Sequence, residues 1–335
     1  MNILSRRGFL AAAALASMGA FSARGARAAE FNYKIAHGFP PAHPISIDLA
    51  IAAKEIERQT AGALHLEVLG AGQLGGDASL MSQVRQGSLE FHIGAGSVFA
   101  STVPVASIWT MGFAFSSYAE VWKAVDGDLG GLVRNAVSKA GMTPLYAVWD
   151  NGFRQIGTVS KPIQKVENIT GLKMRVPQSP VLTTMFKALG AAPVSLSFAE
   201  TYAALQTRLV DGFESPLSIF ASGNYQEVLK HVSMTNHVWD GGLLVANTAA
   251  FNAMPSDMRT IVMQVFNAQA IVQRKRLVDM DAKIRTGMST NGVSFVDPNT
   301  SGFKELLRSS GFYKEWRERL GESAWAVLKR YAPSI

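Results

Sequence analysis

The sequence contains no cysteine. That absence removes disulfides, thiolate metal sites, a cysteine nucleophile and c-type haem attachment together. Charge is also scarce: Asp, Glu, Lys and Arg make up 17% of the 335 residues, and no long run of one sign occurs. The formal charge of +7 overstates the basic balance. Residues 1–29 hold Arg6, Arg7, Arg24 and Arg27 and no acid, so removing those four charges leaves +3 for the rest. A weak, scattered positive balance lacks the basic stripe that nucleic acid calls for, so no nucleic-acid partner is expected. Local catalytic signatures are missing as well. There is no G-x-S-x-G elbow and no H-E-x-x-H, and the six histidines have no i, i+4 ligand spacing. The expectation is a chain that is not an enzyme and has no metal or cofactor.

What is present begins with an export signal. Ser5-Arg6-Arg7-Gly8-Phe9-Leu10 precedes an apolar run over 11–21 and an A-x-A cleavage pattern at Ala26-Arg27-Ala28. The arginine pair beside Gly-Phe-Leu resembles the twin-arginine variant. The run is short for a membrane span, so residues 1–28 are expected to be removed and the mature chain to begin near Ala29 in the periplasm.

The whole sequence is 48% hydrophobic by composition, and the mature chain is long enough for two domains. Strand-like and helix-like segments alternate. Strands are expected over 31–37, 64–69, 89–94, 143–150, 154–158, 173–177, 192–196 and 211–214. Helices are expected over 45–60, 118–140, 180–189 and 198–207. This alternation predicts α/β sheets with helices on both faces. A single helix over 254–292, opened by Pro255-Ser256-Asp257 and closed by Asn291-Gly292, is too long for one ordinary domain.

One motif points elsewhere. Gly70-Ala71-Gly72-Gln73-Leu74-Gly75 matches G-x-G-x-x-G after a strand, with Glu90 at the distance of a ribose partner. This opens an alternative, an exported NAD(P)-dependent oxidoreductase holding pyrophosphate at a helix N-terminus. Against it, the motif follows the second strand rather than the first. The glycines also run on into Gly75-Gly76-Asp77, which reads as a turn with a helix cap.

Four strings, in order, carry a resemblance: Gly72-Gln73-Leu74-Gly75-Gly76-Asp77; Gly171-Leu172-Lys173-Met174-Arg175-Val176-Pro177; Glu200-Thr201-Tyr202-Ala203-Ala204-Leu205-Gln206-Thr207; and Val210-Asp211-Gly212-Phe213-Glu214-Ser215-Pro216. Together they resemble the DctP-type solute receptors of TRAP transporters over nearly all of the mature chain. The resemblance implies a two-lobed periplasmic binding protein fold with a ligand cleft and a long helix spanning both lobes. Lobe I is expected at 30–151 plus 241–280, and lobe II at 152–240 plus 281–335. It also implies capture of a small organic acid and its delivery to the membrane permease of a TRAP transporter. Arg175 matches the family arginine that clamps the substrate carboxylate, a task suited to a planar guanidinium with paired donors. Arg154 matches a second ligand-side arginine. Ser215 stands where many members carry Asn, and Glu214 before it is an acceptor for an arginine or a hydroxyl. His37 closes the first strand at a ligand-facing position, Phe198 matches an aromatic wall, and His237 resembles a semi-buried histidine that supports the site. Trp239 lies near these motifs, as core or as cleft wall.

Overall fold

The computed structural model describes residues 30–335. The expected signal peptide, with its arginine pair and cleavage site, lies outside the described residues. Among the described residues there are ten strands: β1 Phe31–Ala36, β2 Leu64–Leu69, β3 Phe91–Ala95, β4 Met142–Pro144, β5 Trp149–Thr158, β6 Lys173–Val176, β7 Ala192–Ser195, β8 Gly212–Pro216, β9 His231–Asn247 and β10 Ser294–Val296. They follow the order β2-β1-β3-β9-β5-β8-β6-β7, with β4 and β10 also pairing β9. Two groups emerge. β2, β1 and β3 run parallel at one end, and β8, β6 and β7 run parallel at the other. The long strands β9 and β5 join them through antiparallel pairings.

The core follows this sheet. Side chains of a strand alternate between its faces, and Leu243 and Val245 enter one apolar cluster while Leu244 and Ala246 enter the other. Each cluster draws on both strand groups: Leu80 and Phe186 meet in the first, Ile35 and Phe213 in the second. The long helix, Ser256–Thr290, opens after Pro255 as expected. It packs on the Pro44–Gln59 helix, on β5 and on the Leu217–Ser222 helix, and so touches elements from both ends. No described helix is long and apolar enough to cross a membrane.

Three expectations need correction. The helix over 118–140 is two helices, Tyr118–Val125 and Asp128–Lys139. Gly127 lies at the break, where an added Cβ would sit 2.6 Å from the Lys123 carbonyl. Segments 143–150 and 154–158 divide differently, into short β4 and a continuous β5. β9 was not expected at all. It is buried on both faces for most of its length, so it lacks the alternation that marks a half-buried strand.

A bulge marks the middle of β5. Asp150 pairs with Gly241 and Gly152 with Asp240, so Asn151 is the extra residue. Gly152 has φ +109°, which a side chain rarely tolerates. The long helix secures the bulge: Asp150 N–H donates to Gln273 Oε1, and Gln273 Nε2 donates to the Asp150 carbonyl, both at 2.8 Å. The Asp150 carboxyl is fully buried and accepts from Trp239 Nε1 at 2.9 Å.

Burial pushes the Asp150 carboxyl up to about 8, with a smaller push from Asp281 and opposition from Trp239 and Arg274. The native state therefore keeps a proton that the unfolded chain has lost above 3.8. Stability from this group is present below the unfolded value and declines as pH rises through the native one. The slope is about 1.4 kcal/mol per pH unit. Asp150→Asn keeps the acceptor and removes the titration. Its stability relative to wild type, from urea unfolding, is expected to rise by about that amount per unit from roughly pH 5 to pH 7. A difference independent of pH would mean that Asp150 is ionised in the native state.

Candidate functional site

Between the two strand groups lies a cleft of about 230 Å³. Its polar floor comes from three adjacent strands. β5 supplies Asn151 and Arg154, β8 supplies Ser215, and β6 supplies Arg175. The facing wall brings Gly38, Phe39, the loop Ala71, Gly72, Gly75 and Gly76, and Asp77 at the start of the Asp77–Gln86 helix. Ala95 ends β3, Ser97 and Val98 follow it, and Leu196, Ser197 and Phe198 close the side near β7. The two groups approach at one edge of the cleft, where a Cβ on Gly76 would lie 3.8 Å from Ser197 Cβ.

Arg175 is 3% exposed, and its free donors face this space. Nε and Nη2 both donate to the Leu196 carbonyl, at 3.1 and 2.8 Å. That grip uses the side of the guanidinium and fixes its plane. Nη1 and the second proton of Nη2 remain as a parallel pair toward the cleft, the geometry that matches a carboxylate. Burial lowers the Arg175 pKa to about 10, with Arg154 adding to the fall and Glu214, Tyr225 and Asp77 opposing it, so the group keeps its proton at neutral pH.

Arg154 is used differently. Its Nε donates to Glu214 Oε2 at 2.5 Å, Nη2 to Glu214 Oε1 at 2.7 Å and to the Glu214 carbonyl at 2.9 Å, and Nη1 to Asp240 Oδ2 at 2.9 Å. One N–H of five is left for the cleft. Two carboxylates neutralise this arginine before any ligand arrives. Burial opposes the charge on Glu214, but Arg154 and the hydrogen bond from His237 outweigh it and hold the carboxyl below its ordinary value. His237 Nε2 lies 3.2 Å from Glu214 Oε2, and burial lowers its pKa, with Glu214 opposing.

Of the eight residues singled out in the sequence, the structure brings Arg175, Arg154, Ser215 and Phe198 to the cleft. The other four stand behind it. Glu214 is 0% exposed and reaches the cleft only through Arg154. His237 braces Glu214. Trp239 is core: its ring meets Trp109 and Trp122 edge-on at 6.5 and 5.4 Å. His37 turns away under the glycine loop, where a Cβ on Gly70 would be 2.8 Å from its Cε1. Burial and the nearby His92 lower the His37 pKa to about 4, so the ring is neutral.

Sequence reasoning missed Asp77, which it treated only as a cap although it lies in a quoted motif. It also missed Asp240, on the unforeseen β9, and Leu196, whose part is played by a main-chain oxygen. The glycine loop spends N–H groups on main-chain carbonyls, partly in its own turn and partly in the 37–39 segment after β1. Ala71 donates to the Phe39 carbonyl, Gly72 to His37 and Gly75 to Gly72, at 2.9–3.0 Å. A phosphate cradle needs those donors free, and the Asp77 carboxylate would face it.

With this geometry in place, comparison with known proteins is direct. The sequence family described as bacterial extracellular solute-binding protein, family 7 (DctP), matches residues 35–317. The chain belongs to this family. Among its relatives is the 2,3-diketo-L-gulonate-binding periplasmic protein YiaO of Escherichia coli, 30% identical over 77% of this chain and 80% of that protein. Another is the C4-dicarboxylate-binding periplasmic protein DctP of Rhodobacter capsulatus, 31% identical over 68% of each chain. A TRAP periplasmic solute-binding protein from Sulfurospirillum deleyianum, solved with bound succinate, superposes with a TM-score of 0.84 at 28% identity, over 90% of this chain and 98% of that one. The architecture of this DctP-family receptor is thus the expected two-lobed α/β fold, and its role is that of a receptor for a small organic acid.

Proposed function

We propose that this receptor seizes the acid by its carboxylate on Arg175 and passes it to the membrane subunits of a TRAP transporter. The observation that carries the proposal is the Arg175 guanidinium, with one edge fixed on Leu196 O and the other open to the cleft. Arg154 adds its remaining N–H, and Ser215 a short hydroxyl, better suited to a water bridge than to direct contact. The ligands of relatives support the class, since succinate and diketogulonate both carry carboxylates. The lobes are assigned to 30–151 plus 241–280 and to 152–240 plus 281–335, with closure about the crossings of β5 and β9. Catalysis has no part in this reading. The glycine loop serves the turn into the Asp77–Gln86 helix rather than a dinucleotide.

Capture is tested by melting the purified protein against carboxylic acids and against NAD, NADP and FAD. An acid at a hundredfold above its dissociation constant is expected to add about 2.7 kcal/mol of stability. A response to a nucleotide and to no acid would restore the oxidoreductase. Export of the receptor to the periplasm by the twin-arginine route is part of the proposal. Lysine at both Arg6 and Arg7 is expected to leave the precursor in the cytoplasm, because that pair is read by a receptor rather than as charge. Unchanged periplasmic yield would refute that route alone.

A further inference from the structure

We infer that the captured acid is a monocarboxylate with a hydrocarbon body, aliphatic or aromatic, and that Asp77 excludes acids carrying a second carboxylate. The inference rests on the carboxylate-binding reading above and narrows it.

The first argument is charge. Three ionisable side chains line the cleft: Arg175, Arg154 and Asp77, whose carboxyl is pushed up by burial while His92, Arg175 and the Gly38 N–H oppose the rise. Arg154 is already answered by Glu214 and Asp240, each in direct contact with it. The histidines nearest these groups, His37, His92 and His237, are all lowered by burial and add no positive charge at neutral pH. One cationic seat is therefore open, at Arg175. A second carboxylate on the same ligand finds no cation on the facing wall. It finds Asp77, whose carboxyl rests against Gly38. In a closed cleft that second carboxylate either bears a like charge or takes up a proton, and both oppose binding.

The second argument is hydrogen bonding. A polyhydroxy acid needs a partner for each hydroxyl that loses water. Several polar groups of the cleft are committed within the protein. Ser97 Oγ donates to Asp240 at 2.7 Å. Ser197 Oγ donates to Glu200 in the cap of its own helix. The Ala71 and Gly72 N–H groups donate to the Phe39 and His37 carbonyls, and Gly75 N–H donates to the Gly72 carbonyl. What remains beyond Arg175 is mostly the Ser215 hydroxyl, the Asn151 and Gln178 amides and Asp77. Phe39, Val98, Leu196, Phe198 and Ile219 make the rest of the wall apolar, which suits carbon–hydrogen surface.

The test is calorimetric titration of the full-length mature protein with three sets of probes: isovalerate, phenylacetate and mandelate; succinate and glutarate; and gluconate and galacturonate. At least one probe of the first set is expected to bind at least about tenfold tighter than any probe of the other two. Asp77→Asn is expected to narrow the preference for that monocarboxylate over succinate by about tenfold or more. Tighter binding of succinate or of gluconate by wild type overturns the inference and leaves the acid receptor standing. Binding of no acid from any set overturns the receptor reading itself. An unchanged preference in Asp77→Asn removes Asp77 as the excluding group.

Discussion

Arg175→Ala is expected to lower affinity for the captured acid by on the order of 2–5 kcal/mol, roughly thirtyfold to several thousandfold. A carboxylate enclosed by the cleft gives up its water and needs donors of matching geometry in return. Arg175 is fixed to supply them. Its plane is set by two bonds to Leu196 O, so the open edge costs little further ordering when the acid arrives. Arg175→Lys is the sharper experiment. An ammonium restores the charge without the planar fork, and it cannot hold the Leu196 carbonyl and two carboxylate oxygens in one plane. Its affinity is expected to fall by at least about tenfold. Calorimetric titration of each variant measures this, with thermal unfolding to establish that the fold survives. Binding by the lysine variant within about threefold of wild type would disprove the two-donor clamp.

Glu214→Ala is expected to destabilise the protein by about 3–5 kcal/mol. The Glu214 carboxylate accepts three contacts, two from Arg154 and one from His237, with no solvent to replace them. Removing the carboxylate leaves a buried guanidinium with Asp240 as its only ionised partner. The same contacts make the site acid-sensitive. The Glu214 carboxyl is held below its ordinary value, so its contribution is full above the unfolded value and is lost as pH falls through the native one. Urea unfolding of Glu214→Ala and Arg154→Met, alone and combined, separates pairing from packing. The double variant is expected to recover much of the loss, because an apolar pair leaves no charge unmatched. A single-variant cost under about 1 kcal/mol would contradict the role given to the cluster.

How much of this was legible in the sequence depended on where the signal resides. Amphipathic helices with clear ends were read closely. The expected 45–60 helix is Pro44–Gln59, and the 254–292 helix is Ser256–Thr290. Arg175 was legible because a string of neighbours marks it. β9 was not, since a strand buried on both faces has no period to detect, and its Gly241-Gly242 pair reads as a break. Asp240 was lost with β9. Arg154 lines the cleft, but its engagement by Glu214 and Asp240 is a matter of cross-strand register, which no local window contains. His37 and Trp239 illustrate the converse. Nearness in sequence to a ligand motif does not decide which face of a strand a side chain takes, and both turn inward.

The placement of β9 also dictates when the molecule can assemble. Phe91 in β3 can meet Ile35 of β1 early but has to wait for Ala246, and Trp149 in β5 has to wait for Gly242, before the two strand groups are joined. A chain emerging from the ribosome as far as residue 230 possesses β1, β2, β3 and β5 but not the strand that joins them. Such distant pairings close large loops and form slowly. During that interval apolar strand faces stay uncovered, a hazard for aggregation. A pathway that carries finished molecules has to hold the N-terminus back until β9 has paired. One that threads extended chains meets a polypeptide whose first half is still unable to complete its sheet.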